Sequence, residues 1–147
     1  ITLKDVREIL QLRAVLEGLA ARLAAPLFSP QELDQIAENL TAAEAALAEE
    51  NLALCSERGK RLHDAIINKT DNPRLTLIIR NLDDHLQRFR FLSDQISGRL
   101  NKSVKEHRRI LEVLRQRDPA AAEQAMRDHL FSVLQDLSAP EEPMNET

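Results

Sequence analysis

Three histidines of this chain share one kind of setting. His63 lies in Arg61-Leu62-His63-Asp64-Ala65-Ile66-Ile67-Asn68, with Ile66 and Ile67 three and four residues on. His107 has Val104, Ile110 and Leu111 at the same spacings, and His129 has Ala125, Met126 and Val133. On a helix such neighbours share a face, so each imidazole is placed on the apolar side of its own helix. Three imidazoles turned into one small core can ligate a divalent metal or hydrogen-bond a polar ligand.

Other residues bear on the same site. Arg13 falls inside the apolar stripe of the first helix, one turn from Ile9 and from Glu17. A core-facing guanidinium needs a partner, because an unpaired buried charge is costly. Two partners fit: an internal salt bridge with Glu17, or the carboxylate of a bound ligand. Gly59, one turn before His63, sits in a helix interior, where glycine costs ~1 kcal/mol relative to Ala. It leaves space beside whatever His63 touches. His85 falls near the stripe of the fourth helix and is a rival for pocket duty, although Asp84 and Arg88 beside it suggest a boundary position.

Six amphipathic helices are expected to position these groups. Thr2 caps the first, with Asp5 three residues on, and Pro26 ends it after Ala25. Its inward stripe reads Val6, Ile9, Leu10, Leu16, Leu19, Ala20 and Leu23. Ser29-Pro30-Gln31-Glu32 opens the second helix, which runs to about residue 49 as a packing element. The third spans roughly residues 51–70. Asn72-Pro73 opens the fourth, which runs to about residue 95 with Ile78 and Leu92 in its stripe. The fifth covers about 100–117 after a break at Ser97-Gly98-Arg99. Asp118-Pro119 opens the sixth, which runs to about Leu137. Short, well-capped joints imply an antiparallel all-α bundle with a ligand or metal pocket in its core, a single domain over residues 1–137. The remainder, 138–147, has little to bury and is expected to be a disordered tail.

Composition narrows the class. The 147 residues include three Gly and no Trp or Tyr. Strands want aromatic and β-branched residues, so the balance favours helices. The net charge of −4 is interspersed, with no basic stripe of the kind that tracks phosphates. This segment itself is therefore not expected to bind nucleic acid. One cysteine, Cys55, cannot make an intrachain disulfide, reads as a small core residue, and suits a reducing, cytoplasmic compartment. No stretch approaches the ~20 apolar residues of a membrane span.

The residues also carry a family resemblance. Arg13-Ala14-Val15-Leu16-Glu17 with Ala20-Ala21, Leu62-His63 followed by Asn72-Pro73, Glu106-His107-Arg108-Arg109-Ile110-Leu111, Arg117-Asp118-Pro119-Ala120-Ala121-Ala122 and Met126-Arg127-Asp128-His129-Leu130 occur in order at compatible spacings. Together they resemble the C-terminal effector-binding (FCD) domain of GntR-type bacterial transcription regulators of the FadR subfamily. The resemblance implies a dimeric sensor that binds a small organic acid. It also implies that DNA is met through an N-terminal winged-helix domain absent from this chain. It further implies a divalent metal, zinc or nickel, held by His63, His107 and His129. The family aspartate belongs four residues before the first histidine, where this chain has Gly59. A water or the effector's own carboxylate could fill that position, with Arg13, Gly59 and His85 as effector-side residues. A metal-free pocket whose histidines bind the effector directly is the alternative. A metal-dependent hydrolase or lyase is a third reading, weakened because no inward acid offers itself as a general base.

Overall fold

The computed structural model describes residues 2–138. Within them six helices follow one another: α1 (Leu3–Ala24), α2 (Pro30–Ala48), α3 (Leu52–Lys69), α4 (Pro73–Asp94), α5 (Arg99–Arg115) and α6 (Pro119–Ser138). No strand occurs among the described residues, and the all-α bundle is as expected. The proposed tail lies outside the described residues apart from Ser138, which closes α6.

Local chemistry accounts for the helix ends. Thr2 and Asp5 form a capping box at α1, and Ser29 and Glu32 form one at α2, each satisfying two backbone donors. Asn51 and Asn72 accept the Leu54 and Leu75 amides, and Asp118 accepts the Ala121 amide. The break between α4 and α5 turns at Gly98, whose φ of 79° is left-handed backbone that favours glycine.

The main aliphatic core gathers Phe28, Leu33, Ile36, Leu40, Leu62, Ile66, Ile79, Ile110, Leu114, Met126 and the alanines of α1. α1 packs most extensively on α6, and the crossing is tight. A Cβ added at Gly18 would lie 2.8 Å from Cγ of Arg127. That closeness explains which α1 residues face in. Ala14, Gly18, Ala21 and Ala24 are buried, while Leu19 and Leu23 remain 38% exposed. The leucines were expected inside, but a small-residue face allows closer helix approach and takes their place. They join Leu12 and Val15 in an outward apolar stripe. Ile78 and Leu92 of α4, also expected inward, are about half exposed, because Leu75, Ile79, Leu86 and Ser93 occupy the buried side. Among the described residues no helix is long and apolar enough to cross a membrane.

Candidate metal and effector site

α3, α5 and α6 each bring one histidine to the same point. Nε2 of His107 lies 3.3 Å from Nε2 of His63 and 3.1 Å from Nε2 of His129. One nitrogen from each ring lies within 4.8 Å of the other two. The convergence follows from the helix faces. His107 follows Ser103 by one turn and precedes Ile110 and Leu111, and His129 stands one turn after Ala125 and Met126, all buried.

Each outer imidazole is gripped from behind. Nδ1 of His63 donates to Oε1 of Glu17 at 2.6 Å, and Nδ1 of His129 donates to Oε1 of Glu106 at 2.8 Å. An ionised carboxylate only accepts, so Nδ1 carries a proton, and in the neutral ring the lone pair is then on Nε2. Behind each carboxylate stands an arginine. Arg13 pairs with Oε2 of Glu17 at 2.5 Å and with Asp83 at 3.2 Å, and Asp83 accepts from Arg90 at 3.0 Å. Arg99 donates to Glu106, and to Asp136 at 2.6 Å, while Lys102 reaches Asp136 at 3.1 Å. Ser103 and Ser132 accept further bonds from Arg99. Both arrays alternate in sign and cancel.

His107 is the exception. Its Nδ1 is buried without a hydrogen-bond partner, and Gly59 faces this side of the ring. A Cβ at residue 59 would stand 3.0 Å from Cε1 and 3.5 Å from Nδ1 of this ring. Glycine here is therefore a matter of space: any side chain must push the imidazole by a few tenths of an ångström.

Electrostatics keep the site in the right protonation state. Burial, then the neighbouring histidines, hold the His107 imidazole well below its ordinary value. Burial lowers His129 to about 4 even though Glu106 pulls the other way. Burial alone would raise the Glu17 carboxyl, but Arg13 and His63 outweigh it and hold it at about 2. Near neutral pH the two buried imidazoles are uncharged and the acid behind His63 is ionised. Metal ligation requires that state.

The three nitrogens fit a divalent ion. Zinc–imidazole bonds of ~2.0–2.1 Å in a tetrahedral shell set nitrogens about 3.3 Å apart, and the Nε2 atoms of His63 and His129 lie 3.3 and 3.1 Å from that of His107. Three inward lone pairs would repel at that range without a cation or a shared proton between them. No acid completes the group among the described residues, so a fourth position remains for a water or a ligand atom.

The histidines open onto a cavity of about 110 Å³ that Arg13, Gly59, Ser56, Asp94 and Arg99 also line. Burial pushes the Asp94 carboxyl up although Ser56 donates to it at 2.5 Å. Of the residues expected at the effector side, Arg13 and Gly59 line this cavity and His85 does not. His85 is exposed, because Leu86 takes the inward position beside it. Arg13 faces the core as read, with the Glu17 bridge present and Asp83 as a second partner. Two residues were missed, Glu106 and Arg99, along with the role of Glu17 toward His63. The available signal was the Glu four residues after Arg13, which places an acid and a guanidinium on one buried face.

Comparison with known proteins places the sequence in a family. The profile of the FCD domain matches residues 8–132. An uncharacterized HTH-type transcriptional regulator, YdhC of Bacillus subtilis (strain 168), is 27% identical over 131 residues, covering 88% of this chain. The chain spans 58% of that relative's length.

Proposed function

The chain belongs to the FCD domain family, and from that membership we propose that it is the sensing and dimerising part of a cytoplasmic GntR-type regulator of the FadR subfamily. In this reading it binds a small organic acid beside a divalent metal, zinc or nickel, held by His63, His107 and His129, and it meets DNA through a winged-helix domain N-terminal to this segment. The family and the relative's description point to transcriptional regulation rather than catalysis.

The metal part of this reading is carried by His107 Nε2 lying 3.3 and 3.1 Å from the Nε2 atoms of His63 and His129, with one nitrogen of each ring within 4.8 Å of the others. A divalent ion there supplies a Lewis-acidic position for an anionic oxygen of the effector. The charges around it favour an anion. The imidazoles are neutral ligands and the two salt-bridge arrays cancel, so the ion's charge is left for a ligand to meet. Arg13, on the cavity wall, offers its guanidinium to the ligand's carboxylate, in competition with Glu17 and Asp83. A metal-free pocket is the second reading. It is favoured by the unpartnered Nδ1 of His107, which a ligand could engage directly.

Dimerisation is assigned to the outward stripe of Leu12, Val15, Leu19 and Leu23 on α1, with Leu77 and Ile78 exposed on α4, which packs against α1. An exposed apolar band of this kind suits a self-complementary two-fold contact, and two-fold operators call for a two-fold regulator. Leu19→Glu should convert a dimeric mass in solution to a monomeric one.

Thermal shift with a panel of small carboxylic acids tests the sensing claim, with and without zinc and with EDTA. Stabilisation by an acid that zinc strengthens and EDTA weakens is expected. Stabilisation indifferent to both would favour the metal-free pocket, and no response to any acid would count against sensing altogether.

A further inference from the structure

Resting on the metal reading above, we propose that Glu17 and Glu106 are positioning residues that set two of the three imidazoles for the ion. Each fixes the ring proton on Nδ1, and so aims an Nε2 lone pair at a common point. Arg13 and Arg99 in turn hold the carboxylates.

The case rests on a repeated order of groups that the chain builds twice from unrelated segments. His63 on α3 meets Glu17 on α1, then Arg13, then Asp83 on α4. His129 on α6 meets Glu106 on α5, then Arg99, then Asp136 on α6. Salt bridging alone does not account for this arrangement. Arg13 has Asp83 and Arg99 has Asp136, so neither guanidinium needs a second carboxylate to avoid being buried unpaired. Yet Glu17 is fully buried, with one oxygen on Arg13 and the other on His63. A carboxylate desolvated that far is justified by the ion pair with Arg13 together with the hydrogen bond to His63. Carboxylate–imidazole–metal arrays are a general way to orient a ligand and raise its basicity, and loss of the carboxylate typically weakens metal affinity ~10–100-fold.

His107 marks the contrast. It lies between the other two rings and has no carboxylate behind it, because the space there belongs to Gly59. It is the one imidazole of the three that no carboxylate sets for an ion: facing two Nε2 lone pairs, its own Nε2 carries the proton when no ion is present. The two outer rings thus form a pair of jaws, and the middle ring would have to shift its proton from Nε2 to Nδ1 to join them on an ion.

The test uses the whole chain stripped with EDTA, with zinc alone as the probe. Affinity is read by competition with a chromophoric chelator, and ring protonation by nitrogen-15 NMR of the histidines. In the wild type His63 and His129 should carry the proton on Nδ1 even without zinc. Glu106→Ala should weaken zinc about 10–100-fold and release the His129 tautomer while leaving His63 unchanged. Glu106→Gln, which keeps an accepting oxygen, should retain the tautomer and recover most of the affinity. Glu17→Ala gives the matching loss at His63, and Glu17→Gln the matching recovery. A wild type that takes up no zinc overturns both the metal reading and the proposal. Zinc uptake that Glu106→Ala and Glu17→Ala leave within about twofold of wild type, with tautomers unmoved, overturns the proposal alone.

Discussion

The bundle has two interiors built on different terms. In one, Leu33, Ile36, Leu62, Ile66, Ile110 and Leu114 pack with alanines of α1 into a dry aliphatic core. In the other, Arg13, Glu17, Arg99, His107 and His129 are nearly or fully buried beside a cavity. The first region gains stability from every methylene it removes from water. The second desolvates charges, and such pairs seldom repay more than they cost compared with apolar side chains of similar volume. A protein that needed only to fold would fill the second region as it fills the first. Its polarity is therefore read as function, and its orderly pairing as what keeps that function compatible with folding.

The largest effect that would sharpen this contrast is a cut into the dry core. Leu114→Ala should destabilise the fold by ~2–5 kcal/mol in urea melts, yet leave zinc affinity of the folded protein close to wild type, since Leu114 does not line the cavity. A large loss of affinity without loss of stability would show the two regions to be one.

Acid should act on the polar region instead. His129 is held at about 4 against an ordinary 6.5, so between those values the unfolded chain binds a proton that the native state refuses. Stability is then complete above pH 6.5 and falls as pH drops toward 4, by ~3 kcal/mol for this group. His107 is shifted the same way and adds to the loss. Glu17, held at about 2, extends it as pH falls from 4.5 to 2. Urea midpoints of the EDTA-treated protein at pH 7, 6, 5 and 4 would check the direction. A flat profile from 7 to 5 would contradict the neutral buried histidines.

Gly59→Asp probes the contact between the two designs. If the His107 ring gives way by the few tenths of an ångström required, the carboxylate supplies the missing ligand. Zinc should then bind about tenfold tighter, and organic acids should bind more weakly because their position is taken. Weaker zinc binding would mean that His107 cannot yield. The smallest effect lies far from both interiors: Ser29→Ala removes the α2 cap and should cost about 1 kcal/mol, with zinc affinity unchanged.

Much of this was legible in the sequence, for identifiable reasons. Helix starts were written in local pairs such as Thr2 with Asp5, Ser29 with Glu32 and Asn72 with Pro73, where the chemistry lies within three residues. The three histidines showed through their apolar neighbours one turn away. The carboxylates behind them did not, because Glu17 lies 46 residues from His63 and Glu106 lies 23 from His129. No local pattern announces a bond made across the bundle. Arg99 was hidden further, since it stands at a helix break yet is 1% exposed. Leu19 and Leu23 misled for the opposite reason. Apolarity marks a residue that wants cover, but α1 has apolar residues on two faces and only the small ones fit against α6. Reading which face is inward needs the partner helix.

The central claim is that three imidazoles from α3, α5 and α6 meet on one ion. X-ray absorption at the zinc edge of the loaded protein tests it most directly. The expected shell is three imidazole nitrogens at about 2.0–2.1 Å with one oxygen, at one zinc per chain, with one imidazole missing in His107→Ala. A shell of oxygens alone, or an unchanged imidazole count in His107→Ala, would contradict it.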